Sequence, residues 1–182
     1  MFSPDDFRDL GKPSTIGMAL LRFVRQRTIR RIARGLYDYP KTHPVMNLLT
    51  PRPEAIAKAL TARYGIRLQP SGAYAANLLG LSEQVPAVIV FLTDGPSRTV
   101  QVGTQKINLQ HTTPRNMRTA GSTSGLVIQA LRHIGRKQVN GQMLQKLRQK
   151  LSIKDRQRLS RDSGNAPAWM APYLRAIAAD KD

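Results

Sequence analysis

Six arginines, Arg22, Arg25, Arg27, Arg30, Arg31 and Arg34, fall within thirteen residues, and no acid stands among them. Guanidinium groups at this density suit phosphate oxygens, which they grip as charge-assisted, often bidentate, hydrogen bonds. A guanidinium can also read a guanine edge in the major groove. The whole chain points the same way. Lys and Arg number 29 against 11 Asp and Glu in 182 residues, a net charge of +18. Such an excess favours a polyanionic partner, because each neutralised phosphate releases condensed counterions. Between Arg132 and Arg161 a second basic stretch carries ten basic residues and one acid, Asp155.

Other chemistry is thinly represented. There is no cysteine, which removes disulfides, thiolate nucleophiles and cysteine-ligated zinc. His43, His111 and His133 are scattered without metal-ligand spacing, and Glu54, Glu83 and Asp94 form no obvious pair. Gly121-Ser-Thr-Ser-Gly125 has the outline of a nucleophile elbow, but Thr123 stands where the serine belongs and a helical pattern follows. It reads as a loop with a helix cap. No phosphate-cradling or dinucleotide glycine motif is present. The expectation is a protein that binds and does not catalyse, with no metal or cofactor. The segment 71–82, SGAYAANLLGLS, gathers Ser, Tyr and Asn. They either line a site or pack against a sheet.

The elements that must position these groups follow from periodicity. Pro4–Leu10 reads as a short helix, with acids at its positive end. Ser14 or Thr15 caps a second helix running to about Arg25, in which Ile16, Ala19, Leu20, Phe23 and Val24 face inward. Thr15, Gly17, Met18, Arg22 and Arg25 face outward. A turn leads to Ile29–Arg34, Gly35 and Leu36–Tyr39, a strand, tight turn and strand. Helix, turn, helix and two-stranded wing is the order of a winged helix-turn-helix. Thr15, Arg22, Arg25, Arg30, Arg31 and Arg34 are its expected DNA contacts. The alternative is a solvated basic surface or a protein-docking element.

Residues 40–53 hold four prolines and no periodicity, so 41–53 is expected to link a first domain, 1–40, to a second, 54–182. The second domain opens with a helix at 54–64 and a short one at 72–79. The apolar run 87–93 and the alternating segments 99–102 and 106–111 are expected to form an antiparallel meander. From Ser122 the pattern is helical: 123–134, 141–151, a capped helix from Ser152 to about Arg161, and a last helix from Pro167. The fold class is therefore α+β, with a small antiparallel sheet and a basic helical extension. The longest apolar run, 87–92, is too short to span a bilayer, and the start lacks the pattern of a signal peptide. The protein is expected to be soluble and cytoplasmic.

IARGLYDYP (32–40) and PSGAYAANLLGLSEQVPAVIVFLTDGPSRTVQVG (70–103) resemble the AbiEi family of type IV antitoxins. The likeness runs over about residues 3–135. It implies an N-terminal winged helix on operator DNA, repressing its own operon, and a C-terminal antitoxin domain opposing a nucleotidyltransferase-like toxin. It implies binding to inverted repeats as a dimer or as two cooperating monomers. Relatives carry a further helix before the stretch equivalent to Phe2–Leu10, so the resemblance implies a winged helix lacking its first helix, or coding sequence upstream of Met1. A turn that often holds Gly is Arg27 here. The rival expectation is a basic RNA-associated or protein-docking module using 132–161; aromatic residues make up 5% of the chain, too few for platforms that stack single-stranded bases.

Overall fold

The computed structural model describes residues 1–43 and 47–179. The chain is α+β and divides into two compact units, Met1–Gly65 with Val100–Thr104, and Ile66–Thr99 with Gln105–Asp182.

The first unit begins with Phe2, whose backbone exchanges two hydrogen bonds of 2.9 Å with Tyr37. Pro4–Leu10 is a 3-10 segment kinked at Phe7 and not the regular helix its sequence suggests. Two of its three acids are held locally. Asp6 accepts from the Ser3 amide and Asp5 pairs with Arg8. Helix α1 (Pro13–Arg25) starts at Pro13, so Ser14 and Thr15 lie in the first turn and neither is the cap. Its inner face buries Ile16 and Leu20 against Ile29, with Phe2, Phe7, Val24 and Tyr37 packed around them.

Strands β1 (Arg30–Ala33) and β2 (Leu36–Asp38) form an antiparallel hairpin about Gly35, which takes φ +73. A bulge lies between Arg31 and Ala33. The expected linker is in part regular: β3 (Lys41–His43) pairs antiparallel with β4 (Asn47–Leu49). Residues 44–46 of that stretch lie outside the described residues. Helix α2 (Pro53–Thr61) belongs with this first unit, which closes at Gly65. Ala59 and Ala62 share a cleft with Leu36, so the hairpin and α2 are neighbours.

Arg27 has φ +58 in the turn after α1, the left-handed region where a Cβ costs about 1–2 kcal/mol. Arg27→Gly removes that cost and gives back part of it as extra freedom of the unfolded chain, roughly 0.5–1 kcal/mol. A net stabilisation of about 0.5–1 kcal/mol is expected, read as a higher urea midpoint at unchanged slope.

A four-stranded sheet has the order β5-β6-β8-β7, with β5 (Leu68–Ser71), β6 (Val88–Thr93), β7 (Arg98–Val102) and β8 (Gln105–His111), and all of it except Val100–Val102 of β7 falls in the second unit. The antiparallel meander is not formed. β8 lies parallel to β6, in register from Val88 opposite Lys106 to Thr93 opposite His111. The sheet is therefore mixed, since β5 runs antiparallel to β6. Burial sorts the strands. β6 buries Ile89 and Phe91 and β8 buries Ile107 and Leu109, so these two take the middle. Pro70 cannot donate to a ladder and sits in the edge strand β5.

Helices α3 (Gly72–Leu78) and α4 (Thr123–Ile134) pack on this sheet. Helices α5 (Gly141–Lys150), α6 (Ile153–Asp162) and α7 (Ala171–Ala178) complete a second layer around fully buried Leu131, Leu147, Leu159, Met170 and Leu174. α6 starts as its sequence requires. Ser152 Oγ accepts from the Asp155 amide at 3.1 Å and donates to the Asp155 carboxylate at 2.6 Å. That hydrogen bond, with a second from Thr123, holds the Asp155 carboxyl below its ordinary pKa.

Candidate nucleic-acid interface

The basic face of the first unit rises from two elements, α1 and the β1–β2 hairpin. On α1 the residues 15, 18, 22 and 25 recur at helical spacing and share one face. All four are exposed, Met18 to 66%. α1 contains no acid, and Arg22 and Arg25 occupy its last turn, where cations complement the helix dipole. Thr15, Met18, Arg22 and Arg25 line one shallow cleft together with Ala19 and Leu21. The apolar Met18 and Leu21 beside the arginines suit contact with a thymine methyl better than a polar base edge.

On the hairpin the arginines part company. Successive side chains of a strand point to opposite faces. Arg31 is exposed, whereas Arg30 turns inward to Asp38, its direct cross-strand neighbour. Arg30 Nε and Nη2 reach the two Asp38 carboxylate oxygens at 2.9 and 2.6 Å, and Nη2 also donates to the Leu49 carbonyl at 2.8 Å. This two-point pair raises the pKa of Arg30, chiefly through the side-chain hydrogen bond. Arg30, expected from its sequence to contact DNA, is instead the clasp that ties β1 to β2 and to the end of β4. Its Nε and Nη2 hydrogens are directed at protein acceptors, so the two-point edge they form is occupied by Asp38 and Leu49. Arg34 is exposed beside Gly35 at the hairpin tip. Of the six expected contacts, Thr15, Arg22 and Arg25 come together on α1, Arg31 and Arg34 face outward on the hairpin, and Arg30 is withdrawn.

Asp38 was missed as the residue that decides this. Its signal is in the sequence. Arg30 and Asp38 stand at equal distances from Arg34, so a hairpin turning there sets opposite charges across from each other.

The other residues that invited a chemical reading serve the fold of the second unit. Tyr74 is buried edge-on against Phe91, with ring centroids 5.7 Å apart. Asn77 Nδ2 donates to the Ser82 and Gln84 carbonyls and so closes the loop after α3. Ser71 Oγ meets Gln129 Oε1 at 3.3 Å. Ser122 caps α4, accepting from the Gly125 amide and donating to the Thr119 carbonyl. His111 Nδ1 lies 2.9 Å from the Gly95 carbonyl, which can only accept, so Nδ1 carries the proton. Arg67 bonds Asp94 through both its amide and its guanidinium, and the Arg67 side-chain bond holds the Asp94 carboxyl below its ordinary pKa.

The fold and the interface thus define an α+β protein with a basic helix-and-hairpin unit joined to a sheet-and-helix unit. Residues 1–159 match the model of a family described as a family of unknown function, DUF6088, and the chain belongs to that family. No curated protein matches it. Among the described residues no helix is long and apolar enough to cross a membrane.

Proposed function

We propose that this protein is a DNA-binding regulator of the antitoxin kind, repressing its own operon and opposing a nucleotidyltransferase-like toxin. In this reading the first unit is a winged helix. α1 lies against the major groove, and the β1–β2 hairpin is the wing along the backbone. The second unit carries the antitoxin role. The protein works in the cytoplasm by binding, without catalysis, metal or cofactor. The observation that carries the DNA reading is the acid-free, exposed face of Thr15, Met18, Arg22 and Arg25 on α1, flanked by outward-facing Arg31. The antitoxin role rests on the family resemblance of the 32–40 and 70–103 segments.

A grip of on the order of four to five phosphates implies that log K falls against log salt with a slope of roughly −4. This is measured by fluorescence titration on the DNA upstream of the gene. Arg22→Ala with Arg25→Ala and Arg31→Ala should weaken operator and random duplex alike, by about tenfold or more, because phosphate contacts carry no sequence information. A flat salt response would count decisively against the reading. Arg30→Ala is unsuitable for this test, since it acts by loosening the hairpin.

A second reading draws on the ten basic residues between Arg132 and Arg161, eight of them exposed. It makes the second unit an RNA-associated module. Structured RNA outcompeting duplex DNA, with 132–161 substitutions abolishing the difference, would favour it.

A further inference from the structure

We propose that the apolar groove along α1 docks an acidic amphipathic helix supplied by a partner protein. The groove has a volume of about 430 Å³ and lies on the flank of α1 adjoining its arginine face. Its floor is Ile16, Leu20 and Ile29; its walls include Phe7, Leu10, Phe23 and Tyr39. Leu10 is 73% exposed, Tyr39 65% and Phe23 38%. The buried cluster beneath holds Ile16, Leu20 and Ile29, so much of this end of the unit's apolar surface is left open. Open apolar walls around so small a core mark a surface built to be covered. α1 spans 13 residues, about 20 Å at 1.5 Å per residue, which matches a partner helix of three to four turns.

Charge selects the occupant. Between Asp9 and Asp38 the chain carries seven basic side chains, one of which, Arg30, is paired with Asp38. Arg22 stands over the Phe23 ring at 5.7 Å, on the lip of the groove. Of the acids in the neighbouring segment, Asp5 pairs with Arg8, Asp6 accepts from the Ser3 amide and Asp9 is exposed next to Leu10. An apolar groove with Arg22 at its lip, in a chain of net charge +18, fits a helix with apolar residues at i, i+3, i+4 and i+7 flanked by glutamates. A second copy of this chain is a poor occupant. It brings another +18, and among the described α-helices none is net acidic; α2 balances Glu54 with Lys58, and α6 sets four bases against two acids.

The test uses the full chain and three labelled peptides of about 14 residues, followed by anisotropy at about 150 mM salt to screen long-range attraction. One carries Leu at the groove spacing with Glu elsewhere. The second keeps the Leu pattern with Lys for Glu, and the third scrambles the first. Only the first is expected to bind in the micromolar range, with the others about tenfold weaker or more. Leu10→Glu with Phe23→Glu should remove that binding while circular dichroism stays unchanged. Leu10→Ser with Tyr39→Ser, both strongly exposed sites, serves if the first variant misfolds. Equal binding of the scrambled peptide would overturn the proposal in favour of charge alone. Equal binding of the Lys peptide would remove any role for the rim. Sedimentation showing a dimer that Phe23→Glu dissolves would assign the groove to a second copy instead.

Discussion

Replacing Asp38 with alanine is expected to destabilise the first unit by roughly 2–3 kcal/mol, although Asp38 lies outside the arginine face. The substitution leaves the Arg30 guanidinium without its two carboxylate partners, in a site where the Arg30 side chain keeps 22% exposure and the Asp38 side chain 9%. Removing one member of a fully buried pair costs about 3–5 kcal/mol; partial access to water lowers the figure here. Asp38→Asn keeps an acceptor and should cost less. Arg30→Lys should not rescue the clasp, because a single ammonium cannot span both carboxylate oxygens and the Leu49 carbonyl in the same planar geometry. Replacing both members with apolar residues of similar volume should recover much of the loss. Hydrogen exchange at the β1 and β2 amides is the readout. An Asp38→Ala protein with unchanged protection there would show that the clasp contributes nothing. The same experiment separates a structural arginine from a DNA-contacting one. On the DNA-binding reading proposed above, Asp38→Ala and Arg30→Ala should impair binding alike, an effect that lost phosphate contacts alone would not produce.

Gly125→Ala is expected to cost roughly 3 kcal/mol in the second unit, at the upper end of what overpacking in a core produces. Gly125 lies in the first turn of α4. A Cβ there would fall far inside contact distance of the Thr119 carbonyl and of Gln69 Oε1. Neither neighbour can yield cheaply. The Thr119 carbonyl accepts the Ser122 hydroxyl at 2.6 Å, and Gln69 is 1% exposed and accepts from the Gly121 amide at 3.1 Å. One methyl therefore strikes both the cap of α4 and the polar bridge from β5 to the loop before it. Gly121→Ala is the comparison, since its added Cβ meets open space and only its φ of +74 matters; a loss of about 1–2 kcal/mol follows from the left-handed backbone. The chain's single tryptophan, Trp169, packs against the core of this unit and reports both transitions in urea. Equal losses for the two variants would refute the packing account.

What the residues themselves determined was local. The apolar spacing of Ile16, Leu20 and Phe23, the capping pair Ser152 and Asp155, and the run 87–93 each placed an element close to where it forms. The signals lie within one turn or one strand, so no distant partner is needed to read them. The charge of +18 is likewise a property of composition, independent of any fold. Tertiary structure decided the rest, because the outcome depended on residues far apart in the chain. β8 bypasses β7 to lie parallel to β6, since the two strands with the most to bury take the centre of the sheet. Periodicity records how much each strand buries but not which neighbour it chooses. The GSTSG loop became a cap and a packing site through Gln69, more than fifty residues earlier in the chain. The arginine cluster, uniform in sequence, was split by the pleat. Arg31 faces outward, while Arg30 meets Asp38 and Leu49 and becomes part of the scaffold. Composition and spacing placed an acid-free cluster of arginines at 22–34; only the hairpin register and the reach to Leu49 drew Arg30 out of that cluster and into the scaffold.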